Sequence, residues 1–382
     1  MNHIVVVGAG LAGVRTVEAL RARGYEGRIT LVGEERHRPY DRPPLSKAVL
    51  LGEADSSAVD TDLEGLGVDF RPGVAAKALR EGVVETTEGE LPFDGLAIAT
   101  GAEPIRLPGE GPQHVLRTID DALLLRALLV PGARVAVIGA GWIGAEVATA
   151  ARRAGCRVSV IEAGPAPLSH ALGAEVGARM LPWYDGIDLR LDTMVSEVDE
   201  GGVHLVGGEF VEADVVVTGI GVRPAIEWLA DADIDLHNGV VTDECLRTSM
   251  PNVVAVGDCA AWWSRRYRTR LRVEHWDTAL NAPEVAAATL LGQEAVYDPV
   301  PYFWSEQFGR MVQYAGHHRG ARLVERGEQT LCWLTGDDRL AALLTVDRPR
   351  DLVQGRRVIE GGRAVDISRL ANPQVPLRDC VV

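Results

Sequence analysis

The sequence predicts an α/β chain: two doubly wound parallel-sheet units, the second inserted into the first, followed by a small C-terminal α+β domain. Three observations carry that expectation. The spacing G-x-G-x-x-G occurs twice, as Gly8, Gly10 and Gly13 and again as Gly139, Gly141 and Gly144. Each copy follows an apolar run, Ile4 to Val7 or Val135 to Ile138, and precedes a helical pattern and a second strand ending in an acid, Glu34 or Glu162. A further apolar strand, Val253 to Val256, ends in Gly257-Asp258 beyond the second unit and reads as the last strand of the first.

The spacing has a chemical reason. Glycines permit a tight turn and a close backbone approach to a pyrophosphate lying on a helix N-terminus, and an acid roughly 20 residues on accepts hydrogen bonds from a ribose. A bare match to the glycines is weak. The complete strand-glycine-helix-strand-acid unit is strong, and its repetition predicts two Rossmann-like dinucleotide-binding domains in one chain.

The first unit fills residues 1–112 and closes with the strand Gly95 to Ala99 and the small turn Thr100-Gly101. A Pro/Gly-rich linker, Pro104 to Pro112, leads to the second unit at residues 113–230, which ends in Val215 to Thr218 with Gly219 and Gly221 after it. Residues 231–300 return to the first unit. From Pro301 the pattern changes to short alternating segments, Thr330 to Leu334 and Arg339 to Val346, which predict a small antiparallel α+β domain over residues 301–382.

Composition bounds the function. With 47% hydrophobic and 24% charged residues the chain is of ordinary globular type, and its net charge of −15 argues against nucleic acid as a partner. The most apolar stretch, Ala122 to Val130, is short and broken by Arg126, and no basic or apolar leader precedes Ile4, so neither a membrane span nor secretion is expected. Five cysteines, at 156, 245, 259, 332 and 380, form no C-x-x-C pair and no metal-ligand spacing, which predicts no metal site and fits a reducing cytoplasm. One patch runs against the net charge: Arg265, Arg266, Arg268, Arg270 and Arg272 lie within eight residues, and the last three alternate as they would on one face of a strand. The patch is either a solvated strand or a positive landing surface for an acidic protein.

In their order along the whole chain, these motifs resemble the two-dinucleotide flavoprotein reductases, and among them the NADH-dependent ferredoxin reductases of the putidaredoxin reductase type. The most specific element is Pro39-Tyr40-Asp41-Arg42-Pro43-Pro44-Leu45-Ser46-Lys47, similar to that group's segment beneath the flavin. Ala99-Thr100-Gly101, Gly219 to Pro224, Val256 to Ala260 and Tyr302 to Gln307 also resemble family segments, the last of them one that closes over the flavin ring.

The resemblance implies an FAD domain with the NADH domain inserted into it. It gives FAD to Gly8, Gly10, Leu11, Ala12, Gly13, Glu34, Arg42, Pro43, Lys47, Ala99, Thr100, Gly101, Gly257 and Asp258, and NADH to Gly139, Gly141, Trp142, Ile143, Gly144, Glu162 and Gly221. Lys47 and Glu146 are the expected catalytic pair, buried beside flavin N5, since a buried lysine needs a counter-charge. Glu146 could instead be a surface acid on the first turn of its helix, and Asp258 a helix N-cap rather than a ribityl ligand. Trp276 and Trp304 are either flavin contacts or core. Glu162 favours NADH over NADPH, because a carboxylate repels a 2′-phosphate.

The implied activity is hydride transfer from NADH to flavin N5, followed by single-electron transfer to a [2Fe-2S] ferredoxin that serves a P450 or Rieske-type oxygenase. The Arg265 to Arg272 cluster is the candidate docking surface, and the protein is expected to be a monomer or homodimer. No cysteine precedes Cys156, so disulfide reduction through a thiol beside the flavin is not expected. An NADH oxidase, a rubredoxin or quinone reductase, and a redox sensor similar to apoptosis-inducing factor are the competing readings. The sequence departs from the family at Ala166 and His170, where relatives carry arginines, in the shortened stretch Ala54 to Leu66, and in Asp277-Thr278-Ala279. Loss of the two arginines predicts weaker NADH binding.

Overall fold

Valine- and isoleucine-rich runs with no polar residue on either face are strands covered on both sides. The computed structural model, which describes residues 1–382, places such runs at the centre of both parallel sheets. Strand β1 (His3–Val7) leads into helix α1 (Leu11–Ala22), then into β2 (Arg28–Gly33), its parallel neighbour. β3 (Val68–Pro72) extends the sheet past β2. An antiparallel meander follows, β4 (Ala76–Arg80), β5 (Val83–Thr86) and β6 (Gly89–Pro92), before β7 (Gly95–Ile98) returns to pair on the other side of β1.

After β8 (Ala102–Pro104) the chain leaves this unit. Helix α2 (Ile119–Leu128) opens on a capping box in which the Thr118 hydroxyl accepts from the Asp121 amide and the Asp121 carboxylate from the Thr118 amide. The plan then repeats: β9 (Arg134–Ile138), α3 (Trp142–Arg153), β10 (Arg157–Ile161), two short helices α4 (Ser169–Leu172) and α5 (Ala174–Ala178), and β11 (Asp188–Arg190). A second meander, β12 (Val195–Asp199), β13 (Gly202–Leu205) and β14 (Phe210–Glu212), precedes β15 (Val215–Thr218), which pairs with β9.

The return is zipped to the departure. β16 (Val222–Pro224) pairs antiparallel with β8, and the Ala225 and Ile105 amides bond to Gly101 and Gly221 carbonyls across the same ribbon. After β17 (Val240–Thr242), strand β18 (Val253–Ala255) joins β7 in parallel, so the first sheet runs β18-β7-β1-β2-β3, completed from both sides of the insertion. β19 (Ala260–Ser264) and β20 (Thr269–Leu271) form a small sheet with β17. Helix α6 (Trp276–Leu290) then covers the first sheet beside α1, burying Ala282, Ala286, Ala287 and Leu290 with Val14, Val17 and Leu20.

The C-terminal domain is an antiparallel sheet of β21 (Tyr302–Gln307), β22 (Arg310–Gly316), β23 (Arg322–Arg326), β24 (Thr330–Leu334) and β25 (Leu340–Val346), in the order β21-β22-β25-β24-β23. Helix α7 (Pro349–Gly361) lies on one face, close enough that a Cβ on Gly355 would stand 2.4 Å from Leu343. The other face takes Leu168, Leu172, Val176 and Met180 from the segment after Glu162. Helix α8 (Ile367–Ala371) and the tail beyond it are held by one cation. The side chain of Arg326 is 1% exposed and donates to the carbonyls of Leu370, Asn372 and Val375 at 2.8, 2.7 and 2.5 Å.

An Arg326→Met substitution would leave the buried Leu370 carbonyl unpaired and release those of Asn372 and Val375 nearer the surface, a loss of about 2 to 3 kcal/mol by the cost of stranding a group bonded to a buried charge. Denaturant unfolding followed by tryptophan fluorescence should show the midpoint fall; an unchanged midpoint would mean the tail is held by its apolar contacts alone.

Candidate functional site

The fingerprint glycines do three different jobs. Gly8 (φ +109°) and Gly139 (φ +96°) make the tight turn, and a Cβ on either would lie 2.2 Å from the Ala99 carbonyl oxygen or 2.5 Å from that of Gly219. Gly13 and Gly144 let helix meet strand, since a Cβ there would come within 1.8 Å of the Gly8 oxygen or 2.0 Å of the Gly139 oxygen. Gly10 and Gly141 face open space: nothing lies within 4 Å of a Cβ on Gly10, and only one carbonyl oxygen, at 3.9 Å, near one on Gly141. Helices α1 and α3 start behind these glycines with no side-chain cap and no acid in the first turn, so their first amides are left for an anion.

Leu11 and Ala12 are buried at the first turn of α1, Ala12 against Gly257 (φ +74°), and the Thr100 hydroxyl donates to the Ala225 carbonyl at 2.7 Å. Ala99, Gly101 and Asp258 complete the rim of this cradle. The Asp258 carboxylate lies 2.8 Å from Arg117, whose guanidinium also approaches Gly101. Around Asp258 three buried nitrogens have no partner within the chain: Nε of Arg117, Nε of Arg272 and Nδ1 of His275. Such orphans, beside an open glycine cradle, fit a polar ligand of the dinucleotide class.

The acids differ. Glu162 is braced, one carboxylate oxygen accepting from the Ala140 amide at 2.6 Å and the other from the Gly164 amide at 2.7 Å, so it is fixed at the rim of the second cradle. Glu34 stands exposed just after β2. Its neighbour Glu35 is engaged instead, by Arg42 at 2.9 Å and by the Tyr40 hydroxyl. At the second cradle Trp142 packs on Phe303 at 4.4 Å, Ile143 is exposed, and Gly221 (φ +112°) marks the return linker.

The expected catalytic pair is formed. Lys47 Nζ lies 2.8 Å from Glu146 Oε2 and 3.2 Å from the Pro43 carbonyl, and Glu146 is 4% exposed. Glu146 is the fifth residue of α3, not a first-turn surface acid, so the helix-dipole reading is corrected. Its other partners were not foreseen from the sequence. The Ser46 hydroxyl donates to Oε2, the Ser305 hydroxyl to Oε1 at 2.6 Å, and Gln307 donates to the Ser305 oxygen at 3.0 Å. Trp276 and Trp304 meet edge to face at 5.6 Å, and the Trp276 indole donates to Asp41 at 3.0 Å, with both side chains only half-buried. Arg117, His275 and Phe303 were also missed; the first two carry no motif, while Ser46, Phe303, Ser305 and Gln307 sit in segments whose resemblance marked them.

The arginine patch is smaller than its sequence suggests. Arg268 sits in the turn before β20 (φ +50°) and shares no strand face with Arg270 and Arg272. Arg265 pairs with Glu244, Arg266 bonds to the Ile359 carbonyl, Arg270 to those of Thr242 and Ala261, and Arg272 to Glu274 and the Asp258 carbonyl. These side chains brace β17, β19 and β20. Cys259, next to Asp258, is fully buried with its thiol turned to the Val256 and Ile98 carbonyls, and burial pushes that thiol up.

Two open cradles around a buried ion pair define a two-site dinucleotide oxidoreductase. Comparison with known proteins agrees: the pyridine nucleotide-disulphide oxidoreductase profile matches residues 2–282, and a reductase C-terminal profile matches 302–381. The chain belongs to the pyridine nucleotide-disulphide oxidoreductase family and, as such, is an oxidoreductase using FAD and NAD(H). It is 36% identical to the ferredoxin–NAD(+) reductase component of the p-cumate 2,3-dioxygenase system of Pseudomonas putida, over 100% of this chain and 99% of that one. It is 37% identical to the corresponding component of the anthranilate 1,2-dioxygenase system of Burkholderia cepacia, over 99% and 98%. Among solved structures, Fdr9 is 55% identical with a TM-score of 0.96, covering 99% of both chains. The covalent putidaredoxin reductase–putidaredoxin complex is 32% identical with a TM-score of 0.94, covering 99% and 98%. No helix of this chain is long and apolar enough to cross a membrane.

His275 gives the site a pH signature. Part of the residue reaches solvent, but Nδ1 is shut off without a partner; burial lowers the ring's pKa to about 4, against a smaller opposing effect of Asp258. The unfolded chain therefore takes up a proton that the folded chain refuses, and stability falls as pH drops from about 6.5 to about 4. His275→Phe should flatten that fall by about 1 to 3 kcal/mol, the span set by the shift and its solvent screening. Thermal unfolding midpoints between pH 7 and pH 4.5 measure it, and parallel wild-type and variant curves would show that other groups carry the dependence.

Proposed function

We propose that this protein is an NADH-dependent, FAD-containing ferredoxin reductase of the cytoplasm, which supplies electrons to a [2Fe-2S] ferredoxin serving a P450 or Rieske-type oxygenase. The observation that carries the reading is the Lys47–Glu146 pair, which joins the first unit to the helix opening from the second cradle, in a site toward which no thiol is turned. The relatives named as ferredoxin–NAD(+) reductase components match from end to end.

In this reading Gly8, Gly10, Leu11, Ala12 and Gly13 hold the FAD pyrophosphate, Glu34 its ribose, and Arg42, Pro43, Lys47, Ala99, Thr100, Gly101, Gly257 and Asp258 the remainder. Gly139, Gly141, Trp142, Ile143, Gly144, Glu162 and Gly221 hold NADH. Bound there, FAD supplies the conversion of two-electron to one-electron chemistry that lets a nicotinamide serve an iron–sulfur carrier. The chain's own residues do the orienting. Glu146 fixes the Lys47 ammonium, Ser46 and Ser305 fix Glu146, and the Asp41–Trp276 bond ties the segment after Pro39 to α6. Phe303 packs against both Trp142 and His275, linking the second cradle to the surroundings of Asp258.

Anaerobic mixing with NADH should bleach the flavin rapidly, and adding a [2Fe-2S] ferredoxin with cytochrome c should then give ferredoxin-dependent cytochrome reduction. Bleaching without onward transfer to any such carrier would reject the reading in favour of an oxidase or a sensor.

Donor choice is a separate test. Replacing Glu162 by Ala and Ala163 by Arg removes the carboxylate and adds a cation, so the ratio of kcat/KM for NADPH over NADH should rise by about 100-fold, equivalent to roughly 3 kcal/mol of changed discrimination. Unaltered selectivity would mean that Glu162 does not face the ribose.

A further inference from the structure

Helix α7 turns Leu352, Val358 and Ile359 into the core of the C-terminal domain. Its outward stripe, Arg350, Val353, Gln354 and Arg357, lies beside Arg363 and Arg378, and these side chains line a groove of about 690 Å³ between the helix and the C-terminal tail. No carboxylate lines it, although the chain has 54 acidic residues. The whole domain shares this bias: residues 301–382 hold twelve arginines against ten carboxylates, a net charge of +2, so the preceding 300 residues carry −17. Arg356 is committed inward to Asp277 and Glu360, and Arg363 and Arg378 touch the tail. Arg350 and Arg357 make no ion pair or hydrogen bond within the chain and face solvent.

The shape of the site selects the kind of anion. Two turns of helix put Arg350 and Arg357 about 10 Å apart along the axis, a row suited to a surface rather than a clamp converging on one phosphate. Exposed Val353 and Val382 lie among the arginines, and apolar patches mixed with arginine are what protein interfaces use. The opposite side of the same helix reaches toward the site. Arg356 lies over the Tyr302 ring at 5.4 Å, Tyr302 stacks on Trp304, Trp304 meets Trp276, and Trp276 bonds to Asp41.

We propose that this groove, rather than the Arg265 to Arg272 cluster, is the docking surface for an acidic electron-carrier protein. The carrier's class rests on the ferredoxin-reductase reading above; the charge and shape of the groove do not. Complementary fields speed encounter and fix register, and their effect fades as salt screens them.

The test uses the flavin-loaded full chain with putidaredoxin as the probe, comparing wild type, R350E/R357E and a control of equal charge change on β4, K77E/R80E. Reduction of ferricyanide by NADH, which needs no docking, should be the same in all three and reports intact folding. At about 50 mM salt the wild type should bind the probe, R350E/R357E should bind about tenfold more weakly, and the two should converge by about 500 mM as screening removes the difference. The control should stay near wild type. Absence of salt-dependent binding by the wild type, equal binding by R350E/R357E, or equal loss in both double variants would overturn the proposal. So would low-salt self-association abolished by R350E/R357E, which assigns the groove to a second copy of the chain. Binding without onward electron transfer would reject the ferredoxin-reductase reading and leave the groove standing, whereas ferredoxin-dependent turnover with an unchanged KM in R350E/R357E would do the reverse.

Discussion

Three parts of the chain meet on one buried carboxylate. Glu146 belongs to the inserted unit, Ser46 and Lys47 to the first, and Ser305 and the Glu306 amide to the C-terminal sheet, and all of them bond to its two oxygens. An ionised carboxylate taken out of water without partners costs several kcal/mol, which only good geometry and additional hydrogen bonds offset. Three parts of the chain must therefore be in place at once for Glu146 to be tolerated. The same requirement that makes the group expensive makes the junction specific.

The departures from the reductase pattern are connected by packing. Ala166, where the resemblance predicts an arginine, is 1% exposed, and a Cβ on Gly177 would come within 3.1 Å of its methyl group. A guanidinium has no room there while α5 runs so close. The segment after Glu162 packs inward, and Leu168, Leu172, Val176 and Met180 fasten it to the C-terminal sheet. Asp277 has a similar explanation: it faces Arg356 of α7 at 3.4 Å, so the residue that breaks the pattern on one helix answers a cation on another.

The sequence made the two parallel units readable because their signals are local. A glycine turn, a buried strand and a terminal acid lie within about 30 residues of one another, and each has a backbone reason to be where it is. The insertion was legible from Val253 to Val256, whose apolar run fits only beside β7. What escaped depends on long-range contact. Arg117, just ahead of α2, meets Asp258 only across 141 residues of chain, and His275 meets Phe303 only when the C-terminal sheet arrives. The meanders β4–β6 and β12–β14 are short, half-exposed and weakly patterned. The arginine run, too, depends on long-range contact. Its alternation breaks at Arg268, and carbonyl or carboxylate partners that no local pattern reveals engage Arg265, Arg266, Arg270 and Arg272.

The first sheet is finished by a strand that the chain supplies late. Between β7 and β18 lie roughly 150 residues, the entire inserted unit among them, which a ribosome takes about 10 to 30 s to make. Until then β7 is an open edge of apolar residues with its hydrogen-bonding groups unpaired. The ribbon of β8 and β16 brings the two ends of the insertion together, so that once the second unit has closed, the short path from β16 onward delivers β18 to that edge. Synthesis order thus gives the inserted unit time to fold first, and its completion becomes the step that protects the first unit from misassembly.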